Sequence, residues 1–234
     1  MNEIVQSFGV AVEIVAQRDP YLVEVVLLSL RVSLTSLFFA AILGFPLGSI
    51  LGISRFPGRS GIVAIVNALM GLPPVVAGLF VYILLSRAGP LGEYGILYTP
   101  TAMIIAQTIL ILPIIIALTN QAIFDLYAEY QEQLRSLGAT KGRMVFTLLW
   151  EGRFTLLTTL LAGFGRATAE VGAVIIVGGN INHATRVMTT AITLETQKGN
   201  LELAMGLGLI LIVIVLLINS FALLVRFFAA QTER

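Results

Sequence analysis

The chain has 234 residues, 57% hydrophobic and 12% charged, with a mean hydropathy of +0.95; a soluble domain carries about 25% charged residues, so this composition belongs in lipid. Fourteen basic against 13 acidic residues leave a formal charge of +1, which supplies neither the basic field that nucleic acid needs nor an acidic disordered tail. No cysteine and one histidine, His183, exclude disulfides, thiolate chemistry and the usual zinc sites and disfavour serine–histidine hydrolysis, so composition points away from an enzyme.

Residues 1–21 lack the basic start and small-residue cleavage site of a signal peptide, while Ile4, Val5, Phe8, Ala11, Val12 and Val15 share one helical stripe. A segment this short is expected to lie on the membrane and not to cross it. Residues 22–234 read as one all-α integral membrane domain. A bilayer core about 30 Å thick takes roughly 20 apolar helical residues, and five stretches qualify, over about 29–54, 61–86, 98–120, 154–178 and 203–226.

The first span carries Gly44, Gly48 and Gly52 at four-residue intervals, a face suited to close helix packing, with a direct transport role as the alternative. In the second, Gly71-Leu72-Pro73-Pro74 removes two backbone donors and predicts a break sheltered by protein or a wet cavity, either a kink or a gate. Pro113, near Gln107 and Thr108 in the third span, repeats that choice. Residues 121–153 form the large loop: Leu126, Tyr130, Leu134 and Leu137 make a stripe, Gly138 interrupts it, and Thr140 is placed to cap a second helix. The spacing predicts a helix-turn-helix at the membrane surface.

In the fourth span Arg166 and Glu170 stand at i and i+4. A lone arginine at this depth costs about 2.5–3.5 kcal/mol, so a partner or a watery lining is required. A structural pair and a polar gate both satisfy that requirement. Gly172 allows close packing, and Gly178-Gly179-Asn180 predicts a sharp end. His183 then falls in a loop as a solvated residue.

Arg55, Arg59, Arg135, Lys141, Arg143, Arg153, Arg226 and Arg234 lie on one side of this topology, against Arg18, Arg87, Arg186 and Lys198 on the other. The positive-inside rule therefore places the N-terminus outside, and the large loop and C-terminus in the cytoplasm.

Glu132-Gln133-Leu134-Arg135-Ser136-Leu137-Gly138-Ala139 resembles the loop by which permease subunits of ATP-binding-cassette importers meet their ATPases. It keeps the glutamate and glycine of that pattern, with Gln133 and Leu134 in place of two alanines, and Trp150-Glu151 where a leucine-proline pair usually follows. Three further stretches, Leu72-Pro73-Pro74-Val75-Val76-Ala77-Gly78, Gly89-Pro90-Leu91-Gly92, and Gly165 to Val174 leading to Gly179-Asn180-Ile181, resemble the molybdate, sulfate and tungstate branch, and are most similar to tungstate permeases. The resemblance covers nearly all of the chain after residue 22.

It implies the ABC importer permease fold and a homodimer in a prokaryotic cell membrane, served by two cytoplasmic ATPase subunits and an external oxyanion-binding protein. Glu132, Gln133, Leu134, Ser136, Leu137, Gly138, Ala139, Thr140 and Lys141 would form the ATPase coupling loop. Pro73, Pro74, Val75, Gly78, Arg166, Glu170 and Gly172 are pathway or gate candidates. The chain carries no Gly-x-x-x-x-Gly-Lys-Ser/Thr loop, so it is expected to bind no cofactor itself and to leave ATP–Mg to the partner. Tungstate is the expected cargo, with molybdate and sulfate as alternatives. The competing class is a self-contained channel or secondary transporter, supported by the intramembrane Arg166–Glu170 pair.

Overall fold

The computed structural model describes Gly9 and residues 20–232, of which 225–232 are described in backbone only, and is all-helical among them. Most of the expected surface segment 1–21 lies outside the described residues. The helices in order are α1 Pro20–Ile53, α2 Arg59–Leu69, α3 Pro74–Leu85, α4 Pro100–Ser136, α5 Lys141–Glu151, α6 Arg153–Thr168, α7 Gly172–Gly178, α8 Met188–Gln197 and α9 Leu201–Thr232, with a 3-10 turn at Gly92–Tyr94. The helices α1, α4 and α9 are long and apolar enough to cross a membrane, and the number reaches five when the bent pairs α2–α3 and α5–α6 each count as one span.

The composition of those spans differs from the expectation in three places. Helix α1 begins at Pro20, upstream of Glu24 and Arg31; its 34 residues extend roughly 51 Å, so the charged N-terminal turns can stand clear of the lipid core. Helix α4 runs unbroken for 37 residues, so the third span and the first helix of the loop are one rod. The stretch 154–178 is two helices, α6 and α7, with Ala169–Val171 between them. Helix α8 was not expected at all: it starts where the Val187 N–H donates to the Thr190 hydroxyl, 3.1 Å away, and that hydroxyl donates back to the Val187 carbonyl at 3.0 Å.

The bundle is organised on the α1–α4 pair, and the glycine stripe is its seam. A Cβ added at Gly44 would lie 2.6 Å from Ile115 Cγ2, at Gly48 2.7 Å from the Ile116 carbonyl oxygen, and at Gly52 3.0 Å from Ile123 Cγ2. Lipid tails offer helices no hydrophobic reason to associate, so stabilisation comes from close packing, which only small residues permit. Gly163 brings α6 into the same seam, against Ile115 and Leu37. A second core joins α3, α4 and α7 through Ala77, Val81, Met103, Ala106, Ala173 and Val177. Helix α9 lies outside, with Leu216, Leu217 and Phe221 exposed, as suits a lipid-facing surface.

Candidate functional site

Two helix interruptions meet inside the bundle. At the first, proline removes backbone donors: α2 ends at Leu69, Pro73 is extended, α3 restarts at Pro74, and the axis turns by 99°. At the second, α6 ends at Thr168 and α7 starts at Gly172. A Cβ on Gly172 would lie 3.1 Å from Val75 Cγ2 and 3.6 Å from Pro74 Cβ, and one on Gly78 only 2.7 Å from the Cα of Ala173. The starts of α3 and α7 are therefore packed against each other. Pro74, Val75, Gly78, Glu170 and Gly172 come together, Arg166 reaches them through Glu170, and Pro73 is exposed on the turn.

The freed backbone groups of the second break are satisfied by side chains, as a lipid setting requires. Glu170 Oε1 accepts the Ala173 N–H at 3.0 Å and so caps α7. The Thr189 hydroxyl donates to the Glu170 carbonyl at 2.9 Å, and Gln107 Nε2 to the Ala167 carbonyl at 3.1 Å. Gln107 is held in turn by the Ser36 hydroxyl, 3.3 Å from its Oε1. Beside them Ser29, Ser33, Gln107, Thr168, Glu170 and Thr189 line a cavity of about 20 Å³, room for one water molecule. Sequence reasoning noted Gln107 only beside Pro113 and missed Ser36 and Thr189; an uncharged polar residue inside an apolar span was the available signal for Ser36, whereas Thr189 lies in the unexpected helix α8 and carried none.

Arg166 Nη2 is 3.7 Å from Glu170 Oε2, with the two side chains 33% and 3% exposed. That is an ion pair without a hydrogen bond. The helix ends between the two residues, so the pair spans the break and does not lie along a continuous helix. The shorter contact of the carboxylate is to backbone, which makes Glu170 a helix cap before it is a counter-ion.

The far end of α4 forms the helix-turn-helix. Gly138 has φ +67°, its N–H donates to the Arg135 carbonyl at 2.9 Å, and the Ala139 N–H reaches the Leu134 carbonyl at 3.0 Å. This 6→1 and 5→2 pattern closes a helix around a left-handed residue. No atom lies within 4 Å of an added Cβ, so the position demands glycine for its backbone and not for space. Thr140 occupies the N-cap of α5 but makes no side-chain capping bond, contrary to expectation. Leu134, Met144 and Leu148 bury together with Ile123 and Ile53. Leu137 leaves the predicted stripe because the helix stops at Ser136, and it is 81% exposed; on α5, Phe146 and Trp150 are exposed at 73% and 64%. Glu132, Gln133, Ser136, Thr140 and Lys141 are exposed, and Ala139 is half-buried. At Tyr130 the neighbouring Glu129 carboxylate raises the phenol above its ordinary value.

At the opposite end Gly179 and Asn180 take left-handed conformations, the sharp stop that the sequence predicts, and the chain folds back through 181–187. Arg186 donates to Asn180 Oδ1 and its carbonyl, both at 3.2 Å, to Asn182 Oδ1 at 3.0 Å and to the Tyr21 hydroxyl at 3.1 Å. His183 is exposed but not merely solvated, since its Nδ1 lies 2.7 Å from Glu24 Oε2. That contact joins residues 159 apart in the chain, which no local pattern could reveal.

The sequence pattern of the family described as binding-protein-dependent transport system inner membrane component matches residues 44–232, taking in both the broken helices and the helix-turn-helix. The chain belongs to this family. Among relatives of this inner membrane component, the permease protein of the tungstate uptake system of Peptoclostridium acidaminophilum is 40% identical over 233 residues, covering 100% of both chains. A probable anion ABC transporter permease protein of Haloferax volcanii is 41% identical over 192 residues, 80% of this chain and 83% of the relative. The molybdenum transport system permease protein of Escherichia coli strain K12 is 28% identical over 178 residues, 72% of this chain and 77% of the relative. The family resemblance drawn from the loop and span motifs thus holds, and the permease is a membrane transport component.

Proposed function

We propose that this chain is the permease subunit of an ATP-driven tungstate importer. The observation that carries the reading is the 40% identity, over the full length of both chains, to the tungstate uptake permease of Peptoclostridium acidaminophilum. The N-terminus lies outside and the C-terminus in the cytoplasm. Two copies enclose the pathway, an external binding protein delivers the dianion, and two cytoplasmic ATPase subunits bind ATP–Mg and dock on the helix-turn-helix. Exposed Glu132, Gln133, Ser136, Leu137, Thr140 and Lys141 meet the ATPase, with Ala139 at the turn. Buried Leu134 holds the loop from within, and Gly138 sets the angle between its helices. ATP binding draws the two loops together, and the motion passes along α4 to the packed starts of α3 and α7, where Pro73, Pro74, Val75, Gly78, Gly172 and the Arg166–Glu170 pair form the gate. Hydrolysis returns the pathway to its inward-facing state.

Competitive uptake of tungstate, molybdate and sulfate, in cells with and without the chain, tests the assignment. Selective loss of tungstate uptake is expected, restored by the wild-type chain. Loss confined to molybdate reassigns the cargo, and uptake that survives ATP depletion favours a self-contained channel. A second result concerns the coupling loop. A left-handed conformation costs an L-residue about 1–2 kcal/mol, least for asparagine, so Gly138→Val should cut uptake about tenfold at unchanged abundance while Gly138→Asn keeps most of it. Equal uptake by both variants removes Gly138 from the coupling role.

A further inference from the structure

Two adjoining cavities lie against α4 at the end that carries the helix-turn-helix, one of about 250 Å³ under the α1–α2 turn and one of about 270 Å³ between α2 and α4. Arg59 and Phe124 line both. Ser54, Arg55, Tyr127 and Gln131 complete the polar wall of the first, Asn67, Asn120 and Gln121 that of the second, and no carboxylate lines either. The Arg59 guanidinium is fixed from three directions. Its Nε donates to the Leu51 carbonyl at 2.7 Å, its Nη2 to Asn120 Oδ1 at 3.3 Å, and it stacks over the Phe124 ring at 5.1 Å. These contacts cap the end of α1 and leave the positive charge without a counter-ion among the described residues. Arg55 is exposed, and neither it nor the Ser54 hydroxyl has a partner among those residues.

Of the other half-buried arginines, Arg166 faces the Glu170 carboxylate, Arg186 is surrounded by four neutral oxygens, and Arg153 donates to the Trp150 carbonyl and lies over the Trp150 and Phe154 rings. Here two guanidinium groups share a preformed groove with nothing negative in it. Guanidinium forks fit the oxygens of tetrahedral oxyanions, and basic pockets between membrane helices at the cytoplasmic surface hold acidic lipid headgroups.

We propose that this groove binds a tetrahedral oxyanion group, held by Arg55, Arg59 and the Ser54 hydroxyl. Two sources supply that chemistry: the phosphate of an anionic phospholipid in the adjacent leaflet, and a free dianion from the aqueous side. Binding can be measured without transport, so the site stands or falls separately from the tungstate-import reading.

The test uses the full-length chain purified in detergent and stripped of lipid, as wild type and as Arg55→Gln. The substitution touches no partner in the fold, and an unchanged melting temperature confirms that. Retention of phosphatidylglycerol and phosphatidylcholine is measured by native mass spectrometry, and binding of tungstate and inorganic phosphate by equilibrium dialysis. A lipid site shows preference for phosphatidylglycerol, weakened about fivefold in Arg55→Gln, the effect of one basic residue near an anionic surface. A free-anion site shows the same loss for tungstate or phosphate and none for the lipids. The proposal is overturned if Arg55→Gln binds every probe as the wild type does, or if the wild type binds none.

Discussion

Gly48→Leu should destroy the folded bundle, lowering stability by at least about 3 kcal/mol, at the upper end of what overpacking costs. An added Cβ would fall 2.7 Å from both the Ile116 carbonyl oxygen and Thr119 Cβ, and the carbonyl is main chain of α4 that cannot rotate away. The two helices would have to separate, undoing the seam on which the rest of the bundle packs. Gly44→Ala should be milder only because it adds one methyl: that carbon meets Ile115 Cγ2 at 2.6 Å and Ile115 Cβ at 2.9 Å, and the latter moves only with the backbone of α4. Gly61→Leu is the control: nothing lies within 4 Å of that position, and leucine favours a helix over glycine by roughly 0.8–1 kcal/mol. Melting temperatures in detergent and the amount of inserted protein provide the ranking. A Gly48→Leu protein that melts like the wild type would mean that α1 and α4 do not pack as described.

Glu170→Ala is the second severe change. It removes the acceptor for the Ala173 N–H and the counter-ion of Arg166 together. Breaking a buried ion pair from one side costs about 3–5 kcal/mol; with Arg166 one-third exposed, the value here belongs at the lower end. Glu170→Gln keeps an oxygen for the cap and loses only the charge, so it should be intermediate. Arg166→Ala removes the exposed partner and leaves the carboxylate its backbone donor, so it should destabilise least. A double-mutant cycle across Arg166→Ala and Glu170→Ala, read by thermal melting, isolates the pair from the cap. If Arg166→Ala melts as the wild type does yet abolishes uptake, the arginine works in the gate. If its melting falls as far as that of Glu170→Ala, the pair is chiefly structural.

Charge-free length made the membrane class legible, with the expected five spans reached only when each bent helix pair counts as one, and four-residue glycine spacing made the seam legible. The partition of those spans was harder to see. Charge marks where lipid ends but not where a helix ends, so Glu24 and Arg31 hid the true start of α1, and the continuity of α4 disappeared into a loop. Proline announced the break before α3, whereas the break before α7 has no proline; it arises because Glu170, Gln107 and Thr189 satisfy an interrupted backbone, and two of those three belong to other helices. Leu137 misled the stripe because it is the first residue past the helix end, where side-chain direction no longer follows the helical period. The pairing of His183 with Glu24 is purely tertiary.

Helix α4 has a mechanical consequence. Its 37 residues make a rod roughly 55 Å long, and a tilt of about 10° displaces one end by roughly 10 Å relative to the other. The rod has one built-in weak point: Pro113 sits inside it and cannot donate to the carbonyl one turn earlier. Two residues further on, Ile115 is clamped against Gly44 of α1. The clamp is long, because Gly48 and Gly52 hold Ile116, Thr119 and Ile123 of the same helix; the helix-turn-helix lies beyond one end of it, and Met103 and Gln107, beside α7 and the Ala167 carbonyl, beyond the other. In the proposed transport cycle, a swing at the surface would therefore reach the packed helix starts, where Gly78 meets Ala173, only by carrying the α1–α4 pair with it.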